Sequence, residues 1–369
     1  MDGAARHPAV ADALFRPSSA GAADGLGRLS AWDDYPIHQS AAPVTATAPA
    51  LPGWAERFYF NLLRPSGELA AIVGGGVYPN RGVSECYFCR FDGDRQINVR
   101  SLRELPRPGE DSRPGPFSFR CETPLLDWSV SAEGAGVRLA GRFAGELPPY
   151  LFDPHDVPPS EPGGEFDSFR HFVAAGRWEL DHTADLGHPD EFLGVRDRTW
   201  GVRTRRIRLH NWYVFMLEGR LLTLIHQELA DGSVFFSEGG VVHPDGRTEQ
   251  LRIAAHDLRF DPQTREIVEG AVSLSGGNGP LELRFERVGR GIRLAGAGYD
   301  DNQGLRDAGG GEESDEYDLA DPVVAKRTGR GTMDAGAGGQ VTGEWNAEGI
   351  GVVETAVARN HVRYGEQIA

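Results

Sequence analysis

From Arg57 onward, large apolar side chains recur at every second position over short stretches bounded by Gly, Pro, Asn and Asp, the period of a half-buried β-strand. Phe58, Phe60 and Leu62 alternate with Tyr59 and Asn61, and Pro65-Ser66-Gly67 turns the chain into an apolar run over 69–78; this predicts a hairpin. Pro79-Asn80-Arg81-Gly82 is a further turn into a strand over 83–91, and short strands are predicted at 96–102, 117–121, 126–131 and 136–144. Residues 166–180 carry Phe169, Phe172, Val173 and Trp178, and their Phe169-Arg170-His171-Phe172 portion reads as the one short helix before the chain extends again. In the second half the alternation is stronger. Trp212, Val214 and Met216 share one face, with Tyr213, Phe215 and Leu217 on the other; after a Gly219-Arg220 turn, Leu222, Leu224, His226 and Glu228 share a face of the next strand. More strands are predicted at 234–237, 251–260, 266–274, 281–288, 291–297, 340–345 and 349–363. No 3.6-residue stripe is long enough for a large helix, so the predicted fold is all-β in two halves, as barrels or strongly twisted sandwiches.

A chain of 369 residues is long for one domain and comfortable for two. Residues 1–31, rich in Ala, Gly, Pro and Ser, are expected as a flexible tail, followed by domains at 32–190 and 191–369. Residues 302–321 combine glycine with acidic side chains and are expected as a solvated, mobile acidic loop. A net charge of −16 makes nucleic acid and anionic membrane poor partners. No apolar run reaches membrane-spanning length and residues 1–17 lack the pattern of a signal peptide, so a soluble, cytoplasmic protein is expected. Cys86 and Cys89 are spaced C-x-x-C, but in a strand residues three apart face opposite ways and no second ligand pair follows; with Cys121 they read as buried, reduced cysteines. Gly74-Gly75-Gly76 has no phosphate-loop context and reads as a bulge or a close backbone approach.

The densest chemistry lies in Gly194-Val195-Arg196-Asp197-Arg198-Thr199-Trp200-Gly201-Val202-Arg203. Such a cluster either pins two domains together through Arg196 and Arg198 or holds the Asp197 carboxyl in an unusual protonation state at a cavity edge. Residues 33–39 (Asp-Asp-Tyr-Pro-Ile-His-Gln), 76–82 (Gly-Val-Tyr-Pro-Asn-Arg-Gly) and 194–201 resemble, in that order, a bacterial family of poorly defined function. That family is similar in turn to the tandem lipocalin-like superfamily of carotenoid 1,2-hydratases (hydroxyneurosporene synthases) and certain Diels-Alderases. The resemblance implies two lipocalin-like β-domains packed through the Arg-Asp-Arg-x-Trp-Gly segment, a cavity at their junction and a hydrophobic, isoprenoid or polyene ligand; it carries over Asp197 and Trp200 as candidates.

Protonating an alkene requires a strong acid, and a desolvated carboxyl is one; indole and phenol faces stabilise the cation. Asp197 is the first candidate, although Arg196 and Arg198, adjacent in sequence, are expected to weaken it. His226 and Glu228, with Glu238 on the expected hairpin partner, form a second candidate proton relay; read as a metal site only if the faces converge, they are assigned no metal, and no cofactor is expected. Trp200, Trp212, Tyr213 and Phe215, with Tyr78 and Asn80 at a cavity mouth, are the candidate substrate-binding residues. The expected function is a cofactor-independent acid–base enzyme that hydrates, cyclises or isomerises an apolar small molecule between the domains. The alternative is a non-catalytic lipocalin-like carrier of such a molecule, and a third reading is a barrel filled by its own side chains.

Overall fold

The computed structural model describes residues 29–36, 53–105, 116–153, 155–157, 167–181, 186, 192–202, 207–276, 279–297, 311–319, 321 and 333–368. The chain is all-β. Its first half runs β1 (Ala55–Leu63), β2 (Leu69–Tyr78), β3 (Val83–Asp92), β4 (Arg95–Glu104), β5 (Phe117–Thr123), β6 (Asp127–Gly134), β7 (Val137–Gly145), β8 (Tyr150–Leu151), β9 (His155–Val157), β10 (Asp167–Leu180) and β11 (Leu193–Val202). The second runs β12 (Leu209–Leu217), β13 (Arg220–Glu228), β14 (Val234–Val242), β15 (Thr248–Phe260), β16 (Ile267–Ser275), β17 (Leu281–Arg293), β18 (Gly311–Asp318), β19 (Met333–Gly343) and β20 (Ala347–Val357).

β1 to β11 and β18 make one 12-stranded sheet with main order β18-β4-β3-β2-β1-β11-β10-β7-β6-β5, and the remaining strands close into an eight-stranded barrel in meander order. The first sheet curls so that its β5 end packs against its central strand β1. Phe58 and Phe60 of β1 lie 4.5 and 6.2 Å from Phe119 of β5, five strands away in the order, and Phe60 packs edge-on to Phe143 and Trp178. Its other face carries Tyr59, Ile72, Val173 and Val195 against Trp212, Val214, Ile225 and Val352 on the outside of the barrel, in one continuous apolar layer. The strands of the first sheet that meet the barrel are therefore buried on both faces.

Three expectations are corrected. The Phe169-Arg170-His171-Phe172 stretch is not helical but lies within β10, a 14-residue strand, because Phe172 and Ala174 are needed on one face while His171 and Val173 are needed on the other. β11 pairs with β1 and β10 and β18 pairs with β4, so the first sheet takes in two strands more than residues 32–190 provide. Of the expected acidic loop, residues 311–318 form β18 along the edge of β4, where Asp315 accepts from Asn98 and Arg100 at 2.8 and 3.0 Å and Glu316 pairs with Arg95 at 2.9 Å. Basic partners on β4 turn a charge run into an edge strand, and a segment between two barrel strands thereby ties barrel to sheet. The expected tail at 1–28 and residues 37–39 of the first motif lie outside the described residues. Gly74 and Gly75 mark a close approach, since an added Cβ would come within 2.6 Å of the Phe58 and Glu85 carbonyl oxygens. Cys86 and Cys89 do face opposite ways; both are free, and burial pushes the Cys86 thiol up to about 12.

The Arg-Asp-Arg motif sits in β11, so Arg196 and Arg198 point into the curl of the first sheet. Asp34, at the end of a short 3-10 turn (Ala31–Asp34), is fully buried there and takes both Arg196 nitrogens at 2.7 and 2.9 Å, the Trp128 indole N–H at 3.0 Å and the Leu125 N–H at 2.5 Å. Arg198 donates to Glu56 at 2.5 Å and to the Tyr35 carbonyl at 2.8 Å. Burial pushes the Asp34 carboxyl up, but the Arg196 charge and the hydrogen bonds outweigh it and hold the group below its ordinary value. The two arginines therefore do not pin the domains to each other, as the sequence suggested; they anchor Asp34 and the Tyr35 carbonyl to the first one. Asp34→Ala would strand the Arg196 guanidinium between Trp128 and Phe172, 5.7 and 5.2 Å away. Urea denaturation is expected to show a loss of about 3–5 kcal/mol for that variant, against about 0.5 kcal/mol or less for Trp32→Ala, a side chain 68% exposed two residues earlier.

Candidate functional site

Period two also decides where Asp197 goes. It faces opposite to Arg196 and Arg198, toward the barrel, and pairs across the strands with Tyr59 of β1 and Val173 of β10. Its Oδ2 lies 3.0 Å from His171 Nε2, and Thr199 Oγ1 donates to its Oδ1 at 3.3 Å. The His171 ring is stacked on Phe152 at 4.7 Å and lies 5.9 Å from the Trp212 indole. Trp212 in turn stands edge-on to Tyr59 at 5.7 Å. The flanking guanidiniums that adjacency in sequence placed around Asp197 are on the far side of the sheet.

The barrel wall supplies the opposing half. Asp334 of β19 and Trp212 of β12 are both cross-strand partners of Glu354 on β20, so the three share the outward face. Tyr59 Oη donates to Asp334 Oδ2 at 2.6 Å, a bond between domains and between residues 275 apart in sequence. Glu354 Oε1 lies 3.0 Å from His210 Nε2, and His210 Nδ1 lies 3.0 Å from Gln227 Nε2. Asp334 is wholly buried; desolvation, then the charges of Glu354 and Asp197, push its carboxyl well above the ordinary range, and the Tyr59 bond offsets this only in part. Its surroundings thus favour the protonated form of Asp334. Burial, followed by the Asp334 carboxyl beside it, likewise holds the Tyr59 phenol well above its usual value, so it stays a donor. The Trp212 indole N–H, also buried, has no hydrogen-bond partner among the described residues, which marks the layer beside it as a place with an unmet polar demand.

The remaining candidates separate. Tyr213 and Phe215 face into the barrel, on the opposite side of β12 from Trp212. Trp200 is three residues from Asp197 and so faces the other way, against Phe172 and under the Arg198 guanidinium. Tyr78 packs with Ala55, Val83 and Leu102 between the Arg57 and Arg81 guanidiniums, and Asn80 is exposed on a 3-10 turn (Pro79–Arg81), so neither lines the layer at Asp334. Glu238 does not join His226 and Glu228: His226 pairs with Ser237, leaving Glu238 opposite Ile225 on the outward face. There it accepts from Tyr150 Oη at 2.6 Å.

His226 and Glu228 do converge, inside the barrel at one end, and the structure adds His256, His361, Arg363 and Tyr364 to them. Glu228 Oε1 is 2.8 Å from the Nε2 atoms of both His226 and His256, and Oε2 is 2.9 Å from His361 Nε2. Arg363 also pairs with Glu228. A groove of about 1390 Å3 runs over charged and glycine positions of β15, β16, β17, β19 and β20 and touches neither cluster.

Desolvation pushes the Glu238 carboxyl from 4.5 to about 7, with Asp153 adding to the rise and the Tyr150 bond opposing it. A carboxyl whose folded pKa is raised binds its proton more tightly in the native state, so stability falls as pH rises through the interval between the two values. Glu238→Gln, which keeps an acceptor for Tyr150, is expected to flatten the decline of Tm between pH 4.5 and about 7. An unchanged slope in thermal melts would contradict the assignment.

Among solved structures the chain is similar to a candidate AttH protein of Nitrosomonas europaea, with 13% identity over 85% of this chain and 100% of the other and a TM-score of 0.44. It is similar to kievitone hydratase from Nectria haematococca, with 9% identity over 85% and 92% and a TM-score of 0.44. It is also similar to CghA, with 10% identity over 83% and 89% and a TM-score of 0.41. No curated protein matches the sequence. Residues 45–295 match the family described as a domain of unknown function, DUF7064, and the chain belongs to that family.

Proposed function

We propose that this protein is an acid–base enzyme that protonates an apolar alkene, of isoprenoid or polyene type, in the layer between sheet and barrel, with Asp334 as the acid. The observation that carries the reading is the placement of Asp334: a fully buried carboxyl, hydrogen-bonded to Tyr59 from the other domain, whose protonated form is favoured by desolvation and by neighbouring carboxylates. Transfer of its proton to an alkene carbon breaks the O–H bond, forms a C–H bond and leaves a carbocation and a carboxylate. The Tyr59 hydroxyl is already in place to stabilise that carboxylate, and the Tyr59 and Trp212 rings offer π faces to the cation. Surrounding Ile72, Val173, Val195, Val214 and Val352 exclude competing water and suit a hydrocarbon. For hydration, the pair of Asp197 and His171 would take a proton from the water whose oxygen adds to the cation; for isomerisation it would take one from the neighbouring carbon.

Asp197 thus changes from the acid that the sequence favoured to the base, because it has an imidazole beside it and Asp334 has burial. The carrier reading places the same molecule in the same layer without chemistry, and one experiment separates the two. Organic extracts of the purified protein, and incubations with a panel of prenyl and polyene alcohols in deuterated water, would be followed by mass spectrometry. Wild type is expected to incorporate solvent deuterium at an alkene carbon, and Asp334→Asn to do so at least roughly 10²-fold more slowly. If both proteins hold the same molecule unchanged and neither exchanges, the protein is a carrier.

A further inference from the structure

At the end of the barrel the sequence shows only His226 and Glu228, on one face of β13. The inward turn of His256 depends on a register shift in β15 between Ile253 and Ala255, which reverses the alternation and sends His256, Leu258 and Phe260 into the core. The chain after β20 then folds across the barrel end: Tyr364 joins the core and packs 5.7 Å from Phe260, bringing His361 and Arg363 with it. His226, Glu228 and His256 each offer one ligand atom, and these atoms lie within 4.8 Å of one another.

The hydrogen bonds around the cluster assign its tautomers. The Tyr364 hydroxyl donates to the His256 carbonyl at 3.3 Å and lies 3.0 Å from His256 Nδ1, so that nitrogen carries the proton and Nε2 presents a lone pair. His361 Nδ1 accepts the backbone N–H groups of Arg363 and Tyr364 at 3.4 Å, so its Nε2 donates to Glu228 Oε2 and leaves Oε1 facing the other two rings. Two acceptors, Glu228 Oε1 and His256 Nε2, therefore face each other 2.8 Å apart and need a cation between them. The Arg363 guanidinium fills that need: its Nη2 contacts Glu228 Oε1 and sits 2.6 Å from His256 Nε2. The side chain of Arg363 is 41% exposed, so it can leave toward solvent, whereas Glu228 is 2% exposed. His226 Nδ1 has no partner among the described residues and does not choose between tautomers, while the buried Tyr213 hydroxyl, also without a partner, faces the same interior.

We propose that this cluster is a binding site for a divalent first-row transition ion, held by His226 Nε2, His256 Nε2 and Glu228 Oε1, with Arg363 occupying the cation position when the ion is absent. Two imidazoles and one carboxylate form the ligand set of three-ligand zinc and iron sites that keep open coordination positions. Tyr364 on His256 and His361 on Glu228 are the outer partners such ligands use to fix ring orientation. The site is separate from Asp334, since it lies inside the barrel wall and Asp334 lies outside.

The test uses the full chain, stripped with a chelator, dialysed and titrated with Co2+ under visible spectroscopy, then with Zn2+ in competition. Wild type is expected to bind one equivalent with d–d bands of a nitrogen and oxygen site, and Zn2+ to displace it. Removing the competing charge in Arg363→Ala should tighten binding by roughly tenfold or more, and His361→Gln should weaken it about tenfold. His256→Gln should abolish the bands while circular dichroism stays that of the wild type. Absence of a one-to-one complex in both wild type and Arg363→Ala overturns the proposal. So does affinity that His256→Gln leaves unchanged, and so does an Arg363→Ala variant that binds no more tightly than wild type.

Discussion

A strand buried on both faces must satisfy polar groups in two directions, and the central strands of the first sheet are buried on both faces. This constraint organises β11 and its neighbours. Arg196 and Arg198 turn into the curl of the sheet, where Asp34, Glu56 and the Tyr35 carbonyl meet their charge. Asp197, one residue away from each, turns to the barrel and meets His171. The same ten residues thus hold the entry segment of the chain with one face and furnish a titratable group between the layers with the other. The cost of leaving either set unpaired in a low-dielectric interior explains why the polar residues come in matched sets.

The barrel wall repeats the arrangement. β12 presents Trp212 outward and Tyr213 inward, and β13 presents Ile225 outward and His226 inward. Two clusters of titratable groups therefore lie on opposite sides of one wall, and their chemistry differs accordingly. Outside, the carboxyls of Asp334 and Glu354 crowd together under an apolar layer, which favours the protonated form of Asp334. Inside, the Glu228 carboxylate faces three imidazoles and a guanidinium. The first environment suits proton donation and the second suits cation binding.

Much of the architecture was legible because alternation is a local signal: the hairpins of β1 with β2 and β12 with β13, the opposite facing of Cys86 and Cys89, and the absence of long helices all follow from period two. The same rule, carried through β11, separates Trp200 from Asp197. What the sequence concealed depends on long-range pairing or on broken alternation. Asp334 sits in Met333-Asp334-Ala335-Gly336-Ala337-Gly338-Gly339, where small residues blur the strand pattern and the partner Tyr59 is 275 residues away. His256 is hidden by a register shift, and His361 by lying in a turn beyond the last strand. Glu354, within Val352-Val353-Glu354-Thr355, did carry a signal: a charged residue inside an apolar run. The acidic residues of β18 misled because their basic partners on β4 lie more than two hundred positions earlier, as the Asp315 to Arg100 bond does with a separation of 215.

The central claim is that Asp334 holds its proton at neutral pH. The most direct measurement is a pH titration of carboxyl carbon resonances in protein labelled with 13C at aspartate side chains, with Asp334→Asn used to assign the signal. The account predicts a resonance at the position of a protonated acid at pH 7, which the substitution removes and which moves only at alkaline pH. A signal that titrates in the ordinary aspartate range, near 3.8, would show Asp334 ionised between the two layers and would contradict the account.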